Sequence, residues 1–332
     1  MRAFVTGGTG FIGGAVVRRL LEAGHSVRAL VRPGADTRQL DGLPVERVTG
    51  DLDSEGDPQA WMAGCPWVFH VAALYRYWGC RWEDFYRTNV EGTRRVLEGA
   101  RLARAQRVVF TSSIAALGLR PDHSPADEET PSSLEDRIGF YQRSKFMAQG
   151  VALEQARLGL PVVIVNPSTP VGVGDLKPTP SGQIIVDFLN GRMFAYVDAG
   201  LNIVDVEDVA AGHLLAAERG RVGERYILGG ENLTLRELLD LLAEVSGRPR
   251  VRHRIPHGVA LAWSYVDMAL ARLNPRHTPA ATPEKVRLAH HYEWYDAGKA
   301  QRELGLPHTP VREALRKAVA WYREHGYAPR AS

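Results

Sequence analysis

Short apolar runs alternate with longer amphipathic stretches through the first half of the chain. Arg2–Thr6, Ser26–Val31, Val45–Thr49, Trp67–Ala72, Arg107–Ser112 and Val162–Asn166 are of strand length and show little internal alternation, as strands covered on both faces do. Between them, Phe11–Ala23, Trp82–Ala103 and Tyr141–Leu158 repeat apolar positions at helical spacing, and Gly24 closes the first of these. Strand–helix alternation predicts a parallel sheet with helices on both faces and right-handed crossovers. The pattern loosens after Pro167. Gly174–Gly182 is rich in Gly and Pro and reads as a loop. Helices are expected at Val206–Glu218, Leu235–Val245, Pro256–Leu273 and Val311–His325, with a short strand at Tyr226–Leu228. With no linker in view, the expected organisation is a sheet domain over 1–167 and a smaller α/β lobe over 168–332, some of whose segments return to the sheet.

Composition narrows the class. The 332 residues are 45% hydrophobic and 24% charged, the profile of a folded globular chain. The 41 basic and 38 acidic residues nearly cancel, and no dense basic block points to nucleic acid. Cys65 and Cys80 form no readable disulfide framework and suit a reducing compartment. Met1–Thr6 shows no basic stretch ahead of an apolar signal region, so a cytoplasmic location is expected. Val259–Ala271 is interrupted by Ser264 and Asp267, too short a run to span a bilayer.

The first chemical signal is a glycine-rich turn. Arg2–Thr6 runs into Gly7-Gly8-Thr9-Gly10-Phe11-Ile12-Gly13, and a helix follows. Glycines at 7, 10 and 13 let a diphosphate approach the main chain, and the helix start offers free N–H groups and a positive dipole end. A strand before and a helix after are the context that gives the spacing meaning as a dinucleotide site. An NAD site of this kind carries an acid at the end of the second strand, for the ribose hydroxyls. Here that strand ends Leu30-Val31-Arg32-Pro33, with Arg38 six residues past Arg32. A guanidinium matches a phosphate by charge and by its forked donors. The expected cofactor is therefore NADP(H), with Arg32 and Arg38 on the 2′-phosphate, and NAD(H) as the alternative.

The second signal is Tyr141-Gln142-Arg143-Ser144-Lys145. Residues i and i+4 share a helix face, so Tyr141 and Lys145 point the same way. A nearby ammonium favours phenolate over phenol, the shift a tyrosine needs to handle protons near neutral pH. Only Lys145, Lys177, Lys285, Lys299 and Lys317 are lysines; every other basic side chain is arginine, which fits a specific use of Lys145. Ser113 ends the run Val108–Ser113 at the carboxyl edge of the sheet, where its hydroxyl can hold a substrate oxygen beside the phenol. Ser113, Tyr141 and Lys145 are the catalytic candidates.

Taken together these residues resemble the extended short-chain dehydrogenase/reductase family. The match runs through Thr6–Gly13, Gly50-Asp51-Leu52, His70-Val71-Ala72-Ala73, Thr88–Thr93, Thr111-Ser112-Ser113, Tyr141…Lys145 and Asn166-Pro167. The resemblance implies a Rossmann-type, doubly wound parallel sheet with a smaller interleaved α/β C-terminal substrate lobe. It implies Asp51 and Leu52 near the adenine, Ala72 and Ala73 along the cofactor, Asn89 as support, and Pro167 and Ser168 by the nicotinamide. It also implies a homodimer built on helices around Trp82–Ala103 and Tyr141–Leu158. Within the family the chain is similar to the dihydroflavonol 4-reductase-like branch, and to the bacterial group named hopanoid-associated sugar epimerases. Val165–Gly172, Lys177-Pro178-Thr179-Pro180 and Ile184–Gly191 carry that similarity.

Three outcomes compete. The absence of an acid at Val31–Arg32 favours an exchangeable NADP(H) and a reductase of a small-molecule carbonyl. A nucleotide-sugar epimerase that keeps NAD(P) is the alternative, and a dinucleotide-binding sensor without chemistry a second one. Ile114 and Ala115 follow Ser113 where the family's dehydratases carry carboxylates, which disfavours dehydration. Tyr75, Arg76 and Trp78, on a loop at the ligand edge, and Lys177 are candidate substrate contacts. His70 reads as structural, the adjacent His290 and His291 do not share a face, and no metal site is expected. Pro256–Leu273 is apolar and flanked by Arg248, Arg250, Arg252, Arg254, Arg272 and Arg276. Burial in the small lobe is its expected fate, with weak contact to an anionic membrane as the alternative.

Overall fold

The structure, a computed structural model, describes residues 1–53, 56–75, 79–273, 279 and 282–329. Its first half runs β1 (Arg2–Thr6), α1 (Phe11–Glu22), β2 (Ser26–Val31), β3 (Val45–Thr49), α2 (Pro58–Trp61), β4 (Trp67–His70), α3 (Trp82–Phe85), α4 (Gly92–Leu102), β5 (Arg107–Thr111), α5 (Gly139–Arg157) and β6 (Val162–Pro167). The second half continues β7 (Thr169–Val171), α6 (Pro180–Leu189), β8 (Ala195–Tyr196), β9 (Gly200–Asp205), α7 (Val206–Arg219), β10 (Arg225–Leu228), β11 (Glu231–Thr234), α8 (Leu235–Ser246), β12 (His253–Arg254), α9 (His257–Leu273), α10 (Pro283–Ala289), β13 (Tyr292–Glu293), α11 (Gly298–Leu304) and α12 (Val311–Glu324).

Seven parallel strands form the main sheet in the order β10-β6-β5-β4-β1-β2-β3. Thr6 of β1 pairs with Leu30 on one side and His70 on the other. Chain order runs outward from this point in both directions, so the crevice for a ligand opens at the carboxyl ends of β1 and β4. Alternate strand residues serve opposite faces. Val5, Phe69, Val109 and Val165 join Val16, Val17 and Leu20 of α1 and Val209 and Leu214 of α7 in one core. Phe4, Val68, Phe110 and Ile164 meet Val96 and Leu97 of α4 and Ala148 and Val151 of α5 in another. A third core, with Ile185, Leu239, Leu242, Leu315 and Val319, gathers α6, α8 and α12 beside the small sheet of β11, β9, β13 and β7.

The stretch expected to be one helix over Trp82–Ala103 is helical from Trp82 to Leu102, with one widened, π-helical segment over Tyr86–Glu91. There the Thr93 hydroxyl donates to the Asn89 carbonyl oxygen at 2.6 Å, a local bond that competes with the regular ladder. Three other expectations need correction. β4 ends at His70, because the chain leaves the sheet where Ala72 N–H donates to the Thr6 hydroxyl. A helix begins inside the expected Gly174–Gly182 loop, at Pro180, with the Thr179 hydroxyl accepting from Gly182 N–H as its cap. Finally, α9 buries Ser264, Asp267 and Ala271 and turns much of its apolar surface outward.

Candidate active site

The crevice gathers the glycine turn first. Gly7 takes φ +75°, and a Cβ there would lie 2.6 Å from Ala72 N; one on Gly13 would lie 2.0 Å from the Gly7 carbonyl oxygen. The first approach seats the turn against the segment after β4, and the second seats α1 on the turn. Gly10 differs: it is exposed, and its missing Cβ would meet only the Gly7 carbonyl oxygen, at 3.3 Å. Gly10 caps α1 without a side-chain hydrogen bond, and no acid occupies the first turn. The N–H groups at the start of that helix, near Phe11, Ile12 and Gly13, thus face an open, uncharged cradle. This geometry fits a dinucleotide diphosphate.

At the end of β2, Arg32 is exposed. Arg38 is engaged, donating through Nε and Nη2 to Asp36 at 3.0 and 2.7 Å. That pairing holds the Asp36 carboxyl down at about 2. Sequence reading weighed only the strand end and passed over Asp36, which lies in the following loop. Lys177 is placed here too, 3.8 Å from Asp36 and largely exposed, beside Arg38. Asp51 follows β3 and accepts from Asp53 N–H, and Leu52 is buried. Ala72 and Ala73 follow β4.

Asn89 ties this edge together. Its side chain accepts from Leu74 N–H at 2.7 Å and donates to the Leu74 carbonyl oxygen at 3.1 Å and to the Ser144 hydroxyl at 2.9 Å. The loop after β4 is thereby pinned to the helix that carries Tyr141. Tyr75, at the end of that described loop, sets its ring 4.4 Å from the Tyr141 ring. Arg76 and Trp78 lie outside the described residues.

Tyr141, Lys145 and Gln149 occupy successive turns of one face of α5. Gln149 clamps that face to the sheet edge: its Oε1 accepts from the Ser112 hydroxyl and from Asn166 Nδ2, each at 2.8 Å. Asn166 Nδ2 also reaches the Ser113 carbonyl oxygen at 2.8 Å. Sequence reasoning missed Gln149; its spacing from Lys145 was the available signal. Ser113 is buried and its hydroxyl accepts from Ala115 N–H at 3.1 Å. Burial pushes the Tyr141 phenol up to about 12, the Ser113 hydroxyl opposing the shift and Glu293 adding to it. Burial also brings the Lys145 ammonium down to about 7. Beyond Tyr141, Pro167 ends β6, and the Ser168 hydroxyl and Asn166 Oδ1 are buried without a hydrogen-bond partner among the described residues.

A cavity of about 650 Å³ opens past Ser113, lined by Ile114, Ala115, Arg137, Gln142, His290 and Glu293 among others. Arg137 is buried and donates to the Ala115 and Leu117 carbonyl oxygens. Burial raises the Glu293 carboxyl to about 7, with the Arg137 charge opposing. No sequence signal marked Glu293, which reaches the site from β13. His70 is fully buried, its ring nitrogens meeting the Thr6 and Thr93 hydroxyls at 2.8 and 3.0 Å. Burial keeps it neutral, down at about 3. Among the described residues no His/Cys/Asp/Glu group could hold a metal ion, and no helix is long and apolar enough to cross a membrane.

Residues 3–229 match the model of the NAD dependent epimerase/dehydratase family. A Synechocystis protein provisionally named dihydroflavonol 4-reductase is 46% identical, over 98% of this chain and 95% of its own. The sterol demethylase protein B of Methylococcus capsulatus is 38% identical, over 98% and 99%. A Stigmatella aurantiaca ketoreductase of a farnesylated dihydroquinoline N-oxide is 35% identical, over 96% of each chain. Among solved structures, that of gox2253 aligns with TM-score 0.87 and 43% identity, over 98% of this chain and 99% of that one. PA4631, a nucleoside-diphosphate-sugar epimerase from Pseudomonas aeruginosa, aligns with TM-score 0.82 and 28% identity, over 99% of each. With the glycine turn, the sheet order and these relatives in agreement, the chain belongs to the NAD dependent epimerase/dehydratase family and is an NAD(P)-dependent oxidoreductase of the extended short-chain dehydrogenase/reductase type.

Proposed function

We propose that this protein is an NADP(H)-dependent oxidoreductase that reduces a carbonyl of a small-molecule substrate, or oxidises the corresponding alcohol, with Ser113, Tyr141 and Lys145 as its catalytic residues. The observation that carries this reading is the gathering of Ser113, Tyr141 and Lys145 at the carboxyl edge of the sheet, where Lys145 donates to the Thr111 carbonyl oxygen at 2.7 Å and the Ser113 hydroxyl opposes the upward shift of the Tyr141 phenol. Names among the relatives support it, since two are named as reductases.

Gly7, Gly10, Phe11, Ile12 and Gly13 would hold the diphosphate, with Asp51 and Leu52 at the adenine and Ala72 and Ala73 along the dinucleotide. Arg32, and Arg38 once released from Asp36, would take the 2′-phosphate. Pro167 and Ser168 would flank the nicotinamide, with Asn89 as support. When bound, the nicotinamide supplies or accepts the hydride. Tyr141 gives the substrate oxygen its proton in reduction and takes it back in oxidation. Ser113 donates to that oxygen as negative charge develops on it. Lys145 holds the ribose hydroxyls and supplies positive charge near the phenol. Tyr75, against the Tyr141 ring, would form part of the substrate wall, and Lys177, beside Asp36, would lie at the nucleotide end. Exposed Leu102, Phe140 and Leu158 support a homodimer through α4 and α5, which light scattering would detect.

Asp36 favours a second reading. A carboxylate in the loop after β2 could serve the ribose hydroxyls of NAD, and PA4631 is named as an epimerase. Denaturing the purified protein and weighing any released dinucleotide separates the two. Stoichiometric NAD would favour the epimerase. An empty protein that oxidises NADPH with a carbonyl substrate would favour the reductase. A chain that binds dinucleotide and turns over neither substrate class would leave the sensor reading.

A further inference from the structure

The helix α9 is built inside out. Its inward stripe carries the polar side chains: Ser264 and Asp267 are 0% and 3% exposed, with Ala271 beside them. Its outward side carries Val259, Trp263, Tyr265, Val266, Leu270 and Leu273, exposed by 59, 58, 52, 49, 46 and 82%. A helix that covers a core does the opposite. Single exposed apolar side chains are ordinary on a protein surface, but a continuous run along one helix marks an interaction site.

Charge identifies what the site faces. From residue 248 to 273 the chain carries Arg248, Arg250, Arg252, Arg254 and Arg272, and its one acid, Asp267, is buried. Arg254 pairs with Asp198 at 2.7 Å and Arg250 lies 3.6 Å from Asp240. Arg252 and Arg272 are exposed, and no described carboxylate lies within ion-pair distance of either. Trp263 and Tyr265 are the residue types that settle at a lipid–water boundary. Arg276 lies outside the described residues. Seventeen helical residues make a rod about 25 Å long, suited to lying in the headgroup plane.

We propose that the outward face of α9 docks on an anionic lipid bilayer, the apolar side chains entering the boundary and Arg252 and Arg272 meeting the headgroups. The helix is also placed to matter for the site. The His257 ring lies 4.8 Å from the His290 ring, and His290 lines the cavity beyond Ser113. The Tyr265 hydroxyl accepts from Arg287 Nη2 at 2.7 Å, joining α9 to α10. A docked α9 brings that flank of the cavity to the lipid, the route a membrane-dissolved substrate would take. This inference stands apart from the reaction chemistry and would survive its revision.

The test is sedimentation of the full chain with vesicles of phosphatidylcholine alone or mixed with phosphatidylglycerol, at low and high salt. The expected result is binding to the anionic vesicles, weaker by about tenfold or more on neutral vesicles or in high salt. Trp263→Ser with Leu270→Ser should abolish binding, and Arg252→Glu with Arg272→Glu should weaken it; circular dichroism and melting of each variant check that it is folded. No binding to anionic vesicles at low salt would overturn the proposal, as would unchanged binding by the folded Trp263→Ser, Leu270→Ser protein. Light scattering that shows a dimer broken by those same serines, without vesicle binding, would overturn it in favour of a second copy of the chain.

Discussion

The Lys145 ammonium donates to the Thr111 carbonyl oxygen at 2.7 Å, in a setting where Lys145 is only 3% exposed. A charge held by a neutral carbonyl oxygen in so dry a place is costly, and burial draws the ammonium down to about 7 from its ordinary 10.5. Replacing it tests whether that cost serves function. Lys145→Met should raise the melting temperature and lower kcat/KM by about a hundredfold or more. The pH dependence follows in sign. Between about 7 and 10.5 the unfolded chain holds a proton that the native Lys145 has given up, so this group adds stability as pH rises through that window. Denaturant titrations at pH 7 and 9 should show that increment in the wild type and its absence in Lys145→Met. A variant that melts lower would refute the account.

In the proposed reaction Tyr141 and Ser113 divide the oxygen chemistry. Tyr141→Phe should reduce turnover by about 10²–10⁴-fold while dinucleotide affinity, measured by fluorescence titration, stays within a small factor. Ser113→Ala removes the donor that opposes the upward shift of the phenol. It should cost about 10²–10³-fold in kcat and move the alkaline limb of the rate profile upward. Full activity in either variant would sink the catalytic assignment.

Glu293 gives a second pH signature, of the opposite sign. Its native carboxyl is raised to about 7 from the ordinary 4.5, so the folded protein binds the proton more tightly than the unfolded chain. Its contribution to stability is complete below about 4.5 and is lost as pH rises through about 7. Glu293→Gln should flatten the stability profile across that window. Urea titrations at pH 5 and 8 measure it, and equal slopes in the two proteins would show that Glu293 does not titrate there.

Cofactor choice turns on the loop after β2. If Arg32 meets a 2′-phosphate, Arg32→Ala should weaken NADPH by about tenfold to a hundredfold and leave NADH nearly unchanged. Asp36→Asn frees Arg38 from its paired contact and should tighten NADPH further. Equal affinities for the two dinucleotides in the wild type would remove the basis for the NADP(H) preference.

How far the site could be read from sequence depended on how local its logic was. The glycine turn needs only its own strand and helix, and Tyr141 and Lys145 need only helical spacing, so both were legible. Arg32 was read from the end of one strand, yet the state of Arg38 depends on Asp36, which the pattern passed over. Lys177 was offered as a substrate contact for the charge of its ammonium; folding sets that ammonium 3.8 Å from Asp36. The cavity wall was invisible, because Glu293 joins Tyr141 from 152 positions away through a two-residue strand.

The sequence by itself determined the parallel sheet, the crossover helices and the sheet edge that gathers the candidate site. Those features follow from hydrophobic periodicity and from glycine's freedom of approach, which act over a few residues. Tertiary structure alone decided that α7 packs on the main sheet and β10 joins its edge, that Gln149 locks the Tyr141–Lys145 face of α5 to the strand ends, and that α9 turns its apolar side outward. An apolar helix carries the same pattern whether it covers a core or faces away from it. Only the packing of its neighbours shows which side is already filled, and here Ser264 and Asp267 occupy the side where a core-facing helix would place its leucines.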